Sequence, residues 1–224
     1  MKALLLLPFL LASAFAEESG FTPLFNGRDL TGWKTVGGNG SFTVDSGEIV
    51  GSAKDAPQNT FLRTIAAYRD FEFRFEFKFD TLEGNSGVMF RAFQQPGENG
   101  RVTGYQCEHD QDKNRAWTAG LYDEARRGWL VPSPANDDEK KSFTARGRDL
   151  FKWDDWNAVT IIAQGPRLRI YLNGELRSDF TDTHPEHFTP EGFIALQVHS
   201  GKACHVRWRN LLIKDLTPPL PPDH

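Results

Sequence analysis

The run Phe71-Glu72-Phe73-Arg74-Phe75-Glu76-Phe77-Lys78-Phe79-Asp80 alternates aromatic and charged residues without a break. Strand side chains point to opposite faces with period two, so all five phenylalanines share one face. That face belongs in a core and the charged face in water, which marks a half-exposed antiparallel strand. Other segments follow the same logic. Over residues 86–93 the parity sets Val88, Phe90 and Ala92 against Met89 and Arg91. Residues 105–110 set Tyr105, Cys107 and His109 against Gln106, Glu108 and Asp110. Residues 158–163 and 167–172 read as a hairpin around Gly165-Pro166, and Asn173-Gly174 marks the next tight turn. Residues 193–199 set Ile194, Leu196 and Val198 against Ala195, Gln197 and His199; residues 203–216 end in a strand with Val206 and Trp208 on one face.

No segment shows sustained helical periodicity with caps. Short, evenly spaced strands between Gly, Pro and Asn turns predict an all-β chain folded as a two-sheet antiparallel sandwich. Residues 123–155 break the pattern. They carry Arg126-Arg127, Trp129, two prolines and the polar run Asn136-Asp137-Asp138-Glu139-Lys140-Lys141, and are expected to form a long loop. Long ordered loops on a rigid sandwich are where function tends to sit. With no internal repeat and no second composition block, residues 17–216 read as one domain and residues 217–224 as a Pro-rich tail.

The amino-terminal segment changes the picture of where this domain works. Met1-Lys2 is a short positive start, residues 3–12 are almost wholly apolar, and Ala14-Phe15-Ala16 has the form of a cleavage site. Residues 1–16 are therefore expected to be a secretory signal peptide, too short to span a bilayer, and the mature protein periplasmic or secreted without membrane insertion. A net charge of −4 over 224 residues gives no basic face for nucleic acid. Two cysteines are too few for a disulfide-built scaffold, so a real core must hold the fold. Cys107 and Cys204 both have inward parity and are read either as one cross-link or as two separate buried thiols.

Candidate chemistry gathers at Glu108-His109-Asp110-Gln111-Asp112. If the strand continues, Gln106, Glu108, Asp110 and Asp112 project from one face, where crowded like charges raise one carboxyl pKa and create an acid–base pair. Laminarinase-type glucanases use E-x-D-x-x-E in this way; here Lys113 takes the third position. Gln197 and His199 lie on the outward parity of another strand and suit sugar hydroxyls and proton transfer. Arg91 offers a cation on its strand, and Trp117, Tyr122 and Trp129 are candidate platforms for sugar rings. Trp33, Trp153, Trp156 and Trp208 are assigned to packing. His184-x-x-His187 has no Cys or third His nearby to complete a metal site. Asn39-Gly40-Ser41 is a glycosylation sequon that matters only in a eukaryotic secretory host.

The opening Phe25-Asn26-Gly27-Arg28-Asp29-Leu30-Thr31-Gly32-Trp33 resembles the start of the 3-keto-disaccharide hydrolase domain family. The likeness continues in order through Asn85-Ser86-Gly87-Val88, Gly104-Tyr105, Gly120-Leu121-Tyr122, Trp156-Asn157, Leu172-Asn173-Gly174 and Trp208-Arg209-Asn210, covering residues 21–216. Where that family has Y-E-V-Q, this chain has Tyr105-Gln106-Cys107-Glu108, with acid and amide exchanged. The resemblance implies a concanavalin A-like jelly roll with a concave sugar groove. It also implies cleavage of 3-keto glycosides supplied by a separate sugar 3-oxidase.

That chemistry needs a base, a proton donor and a cation for the enolate. Glu108 is the expected base, His199 or Asp110 the donor, and Arg91 the cation, with an oxygen-bound divalent metal at Asp110 as the open alternative and no other cofactor expected. Two other classes stay open: a non-catalytic carbohydrate-binding module using the same groove, and a direct glucanase with two carboxylates about 5–9 Å apart. The exported chain is expected to begin near Glu17. Intact-mass measurement checks this, and retention of residues 1–16 would refute it.

Overall fold

A computed structural model describes residues 20–81, 84–97 and 100–218. The expected signal peptide, residues 1–16, and the end of the tail lie outside these residues. In chain order the strands begin β1 (Thr22–Pro23), β2 (Trp33–Gly37), β3 (Ser41–Asp45), β4 (Glu48–Ala56) and β5 (Thr60–Thr64). Next come β6 (Phe71–Phe79), β7 (Asn85–Gln94), β8 (Val102–Asp110), β9 (Leu121–Glu124) and β10 (Gly128–Val131). Helix α1 (Asp137–Leu150) precedes β11 (Asn157–Gln164), β12 (Arg167–Leu172), β13 (Glu175–Thr181), β14 (Phe193–Val198) and β15 (Gly201–Asp215). One sheet has the order β13-β12-β11-β6-β15-β4-β3, with β1 on β15; the other has β10-β9-β8-β7-β14-β5-β2. Every pairing is antiparallel. The all-β sandwich is as the strand parity predicts.

The two sheets meet over the β6 phenylalanines. Phe71, Phe73, Phe75, Phe77 and Phe79 are all buried and share one core with Val88, Phe90, Tyr105, Cys107, Leu121, Ile194, Leu196 and Val198 of the facing sheet. His109 is part of this inner face. Its ring stacks on Phe77 at 3.7 Å and 3°. Among the described residues neither ring nitrogen has a hydrogen-bond partner, and burial pushes its pKa down to about 3. Cys107 and Cys204 are separate buried thiols; the Cys204 thiol donates to the Asn85 carbonyl at 3.3 Å.

The structure corrects the parity of β7. A bulge between Phe90 and Phe93 shifts the register against β8, and Arg91 sits there at φ +44°. A bulge inserts one residue and reverses the faces beyond it. Ala92 therefore joins Met89, Phe193 and Ala195 on the outer face, in a second apolar cluster with Val36, Phe61 and Val102. Arg91 is fully buried away from that face. It donates to the Arg69 and Gly165 carbonyls at 2.7 Å each and pairs with Asp70 at 2.8 Å, latching the two sheets together.

Phe61 and Val102 lie on β5 and β8, three strand spacings apart, or about 14 Å on a flat sheet. Met89, Ala92, Phe193 and Ala195 on the strands between them join the two into one continuous outer cluster. Gly104, at φ +137°, lets β8 approach β7 closely at the bulge: a Cβ there would lie 2.8 Å from Ala92 Cα.

The expected loop over residues 123–155 is a second correction. It contains β9, β10 and α1. The polar run begins the helix: the Asn136 side chain accepts from Glu139 N at 3.0 Å, and Asp137, Asp138 and Glu139 occupy the positive first turn. Only Phe143 and Gly147 of the helix are buried, so it has almost no apolar stripe for periodicity to reveal.

Phe75→Ala is expected to cost about 3–5 kcal/mol in denaturant unfolding, from lost burial plus a cavity. A cost under roughly 1 kcal/mol would place β6 outside the core.

Candidate functional site

The outward parity of the second sheet builds a cleft of about 350 Å³ lined by Asn85, Gln106, Glu108, Arg115, Tyr122, Glu124, Trp129, Gln197 and His199. Strand register makes it. Gln197, Gly87 and Glu108 form one row across β14, β7 and β8; Ala195, Met89, Gln106, Tyr122 and Trp129 form the next across five strands. Gln106 reaches over β7 to Gln197, and Gly87 makes the room: a Cβ there would lie 2.8 Å from the Gln106 side chain.

Glu108 is the centre of the site and only 5% exposed. Its Oε1 accepts from Asn85 Nδ2 at 2.6 Å and from an Arg115 guanidinium nitrogen at 3.2 Å; its Oε2 accepts from Gln106 Nε2 at 2.8 Å. An acceptor-only carboxylate fixes the amides beyond it. Gln106 must turn its nitrogen to Glu108, so its oxygen accepts from Gln197 Nε2 at 3.0 Å. Burial pushes the Glu108 carboxyl up to about 7, and Asp110 adds to the rise, while Asn85, Arg115 and Gln106 oppose it. A carboxyl poised there takes up and releases protons near neutral pH.

The expected site residues separate into three groups. Glu108, Gln106, Gln197, His199, Tyr122 and Trp129 meet in the cleft. His199 Nδ1 lies 2.7 Å from the Ser200 carbonyl, so that nitrogen carries the proton and Nε2 is the other working atom. Asp110 and Trp117 stand behind the lining. Asp110 accepts from Arg115 Nε at 2.7 Å, from Asp112 N at 2.9 Å and from Trp117 N at 3.3 Å. Those donors occupy the oxygens that the suggested divalent ion would need, so Asp110 is an anchor for Arg115 and does not fit as a metal ligand. Trp117 packs edge-on against Trp129 at 4.7 Å. Arg91 belongs to neither group, for the bulge carries it out of the face. No cluster of three or more His, Cys, Asp or Glu suited to a metal occurs among the described residues.

Arg115 supplies the cation that Arg91 does not. It lies in the β8–β9 loop, where no side-chain period operates; the only signal for it in sequence is a cation shortly after an acidic run. Helix α1 and β13 hold this loop. Thr144 Oγ donates to the Arg115 carbonyl at 2.9 Å and accepts from Trp117 Nε1 at 3.0 Å. Buried Arg177 donates to the carbonyls of Ala116, Thr118 and Phe143 at 3.0–3.3 Å. Gly147 is required for this contact, since a Cβ would meet the Ala116 carbonyl oxygen at 2.0 Å. Sequence parity also passed over Asn85, the first residue of β7, and Glu124, the last of β9.

With this geometry in hand, comparison with known proteins is informative. The family model of the 3-keto-alpha-glucoside-1,2-lyase-like domain matches residues 20–214. The chain belongs to that family. No curated protein matches it by sequence. Solved structures resemble this family member in fold. A candidate glycosyl hydrolase from Parabacteroides distasonis is 19% identical, with 88% of this chain and 94% of that one covered at a TM-score of 0.59. Carbohydrate-binding module CBM66 from Bacillus subtilis is 17% identical, with 82% and 96% covered at 0.53. A galectin-like protein of unknown function from Bacillus subtilis is 13% identical, with 87% and 94% covered at 0.62. The galectin-like, jelly-roll character of the family domain is thereby established; at these identities the neighbours speak to fold alone.

The raised pKa gives a test of the site. Folding favours the protonated Glu108 carboxyl, so its contribution to stability is complete below about 4.5 and is lost as the pH rises through about 7. Glu108→Gln imitates the neutral form. The stability of this variant relative to wild type should rise by a few kcal/mol between pH 4 and pH 8, read by denaturant unfolding. A pH-independent difference would show that Glu108 has an ordinary carboxyl pKa.

Proposed function

We propose that this protein cleaves 3-keto glycosides by elimination across C1 and C2 of the oxidised sugar. The observation that carries this reading is a buried carboxyl with a pKa of about 7 sharing one cleft with a histidine and an arginine. A ketone at C3 acidifies the C2 proton. Glu108 takes that proton, and the electron pair passes into an enolate whose charge Arg115 meets. The pair then returns to form the C1–C2 double bond as the C1–O bond breaks. The leaving oxygen receives a proton from Nε2 of the His199 imidazolium, whose Nδ1 proton stays hydrogen-bonded to the Ser200 carbonyl. Addition of water across the double bond, its proton restoring His199 while Glu108 returns its own to C2, completes a net hydrolysis.

Several facts support this order of roles. Glu108 is held from three directions, so little reorganisation precedes proton transfer. Arg115 bridges Glu108 and Asp110, which keeps the cation in place when Glu108 becomes neutral. The family match and the sugar-related neighbours support a carbohydrate ligand. Tyr122 and Trp129 pack 5.1 Å apart at the rim and suit the C–H face of a ring. The ketone must come from a separate sugar 3-oxidising reaction. The signal peptide expected over residues 1–16 supports action outside the cytoplasm.

One observation favours a second reading. Every Glu108 contact is a donor already satisfied, a rigidity that also suits a binding groove. Incubation with a 3-keto glucoside and with its unoxidised parent separates the cases. Turnover of the ketone alone is expected; turnover of both would indicate a direct glycosidase, and binding of both without turnover a binding module. Glu108→Gln should lower turnover of the ketone by roughly 10²–10⁴-fold while leaving sugar binding near wild type. Unchanged turnover would remove Glu108 from the mechanism.

A further inference from the structure

Arg126-Arg127, conspicuous in the sequence, lie in the turn between β9 and β10. This hairpin carries Tyr122, Glu124 and Trp129 of the cleft. It is thinly held. Its strands have four residues each, β10 is the edge of its sheet, and a bulge falls between Trp129 and Val131. Of the residues in these two strands only Leu121 and Asp123 are buried. Asp123 has inward parity, the place of an apolar side chain, and is fully buried. Its Oδ1 accepts from Arg126 Nε at 2.6 Å and its Oδ2 from Arg127 Nε. Both arginines reach further, to the segment after β13. Arg127 forks onto Asp182 at 2.6 and 3.0 Å. Arg126 donates to the His187 carbonyl at 2.8 Å and to Thr189 Oγ1 at 2.7 Å. Buried Asp182 also accepts from the hydroxyl of Tyr105, the β8 neighbour of Gln106. Ion pairs thus staple the hairpin to β8 and to the end of the opposite sheet.

We infer that Asp123, Arg127 and Asp182 are positioning residues: they fix the register of the β9–β10 hairpin and so aim Tyr122 and Trp129 into the cleft. Stability alone does not account for charges held so far out of water. Apolar residues of similar volume often hold a fold as well as a buried ion network or better, and the best-attested use of such a network is to select one register. The need for selection is plain in this hairpin. Side chains alternate, so a slip of β9 by one residue against β8 would turn Tyr122 inward and Asp123 into the cleft. Leu121 is the only buried apolar side chain to resist the slip. The ions resist it more strongly, because a displaced Asp123 leaves Arg126 with no carboxylate and Arg127 with one. That Tyr122 and Trp129 meet a sugar ring rests on the function proposed above; the register of the hairpin does not.

Two variants and two readouts test the lock. Asp123→Asn/Arg127→Gln removes one charge of each sign, so no excess charge is left in the network. Arg127→Lys keeps the charge but loses the fork that joins two carboxylates. The first readout is NMR of the free protein. Wild type should give one set of signals for residues 121–131 and an NOE between the rings of Tyr122 and Trp129, which lie 5.1 Å apart. In the neutral variant these signals should double and the NOE should weaken to about half or less, while the core contacts of Phe75 persist. Arg127→Lys should lie between. A wild-type hairpin in the neutral variant would overturn the register role; should that variant not fold, a wild-type hairpin in Arg127→Lys would do so. The second readout is kinetic. On a 3-keto glucoside the neutral variant should raise KM about tenfold, the loss of one ring-stacking contact, with kcat within about twofold. A network that merely stabilised the fold would lower the thermal midpoint and leave KM and the NOE unchanged. A lost NOE with unchanged KM would overturn the aiming of the rings. Failure of wild type to turn over any ketone would refute the reaction proposed above, while the NMR readout would still decide the register.

Discussion

Five phenylalanine rings on one face of β6 cannot be shielded by their own sheet, and that demand organises the molecule. A second sheet must lie over them and must turn its apolar parity inward. Tyr105, Cys107, Leu121 and Leu196 meet the demand. Everything of opposite parity on those strands is thereby committed to the other face, which is how Gln106, Glu108, Tyr122 and Gln197 come to share it. A register slip of one residue would exchange the sets and drive Glu108 into the phenylalanines. The site is therefore a by-product of core packing.

The alternating face of the sheet provides only part of the compensation for a carboxylate held out of water, through Gln106. The rest comes from positions that strand parity does not govern: Asn85 at a strand end, Arg115 in a loop, and behind the loop a helix and buried Arg177. Desolvation and these donors oppose one another closely. Either alone would leave a carboxyl locked in one protonation state; together they leave it responsive near neutrality.

The legible part of this protein followed from period two. The β6 ladder, the Asn173-Gly174 turn, the inward Cys107 and the outward Glu108, Gln197 and His199 stand where alternation puts them. Alternation failed at the bulge, because an extra residue at Arg91 reverses the count and nothing in the identities of residues 88–93 announces it. It could not address Arg115, since a loop residue has no face. The helix was hidden for a different reason: with two buried positions it is held by hydrogen bonds from Thr144, Arg148 and Arg177 to the β8–β9 loop or the helix backbone, and not by an apolar stripe. The Asn136 cap and the acidic first turn were its only marks in the sequence.

The stacking of His109 on Phe77 has a consequence for the surroundings this domain can tolerate. The folded core refuses a proton on that ring until about pH 3, whereas an unfolded chain accepts one near 6.5. Across that interval each step toward acidity adds proton uptake to the unfolded state and none to the folded one, so acid draws the sandwich open through this position. One imidazole, on the strand that carries Glu108, thus offsets the stability that Glu108 gains as the pH falls to about 4.5, and goes on opposing the fold below that pH.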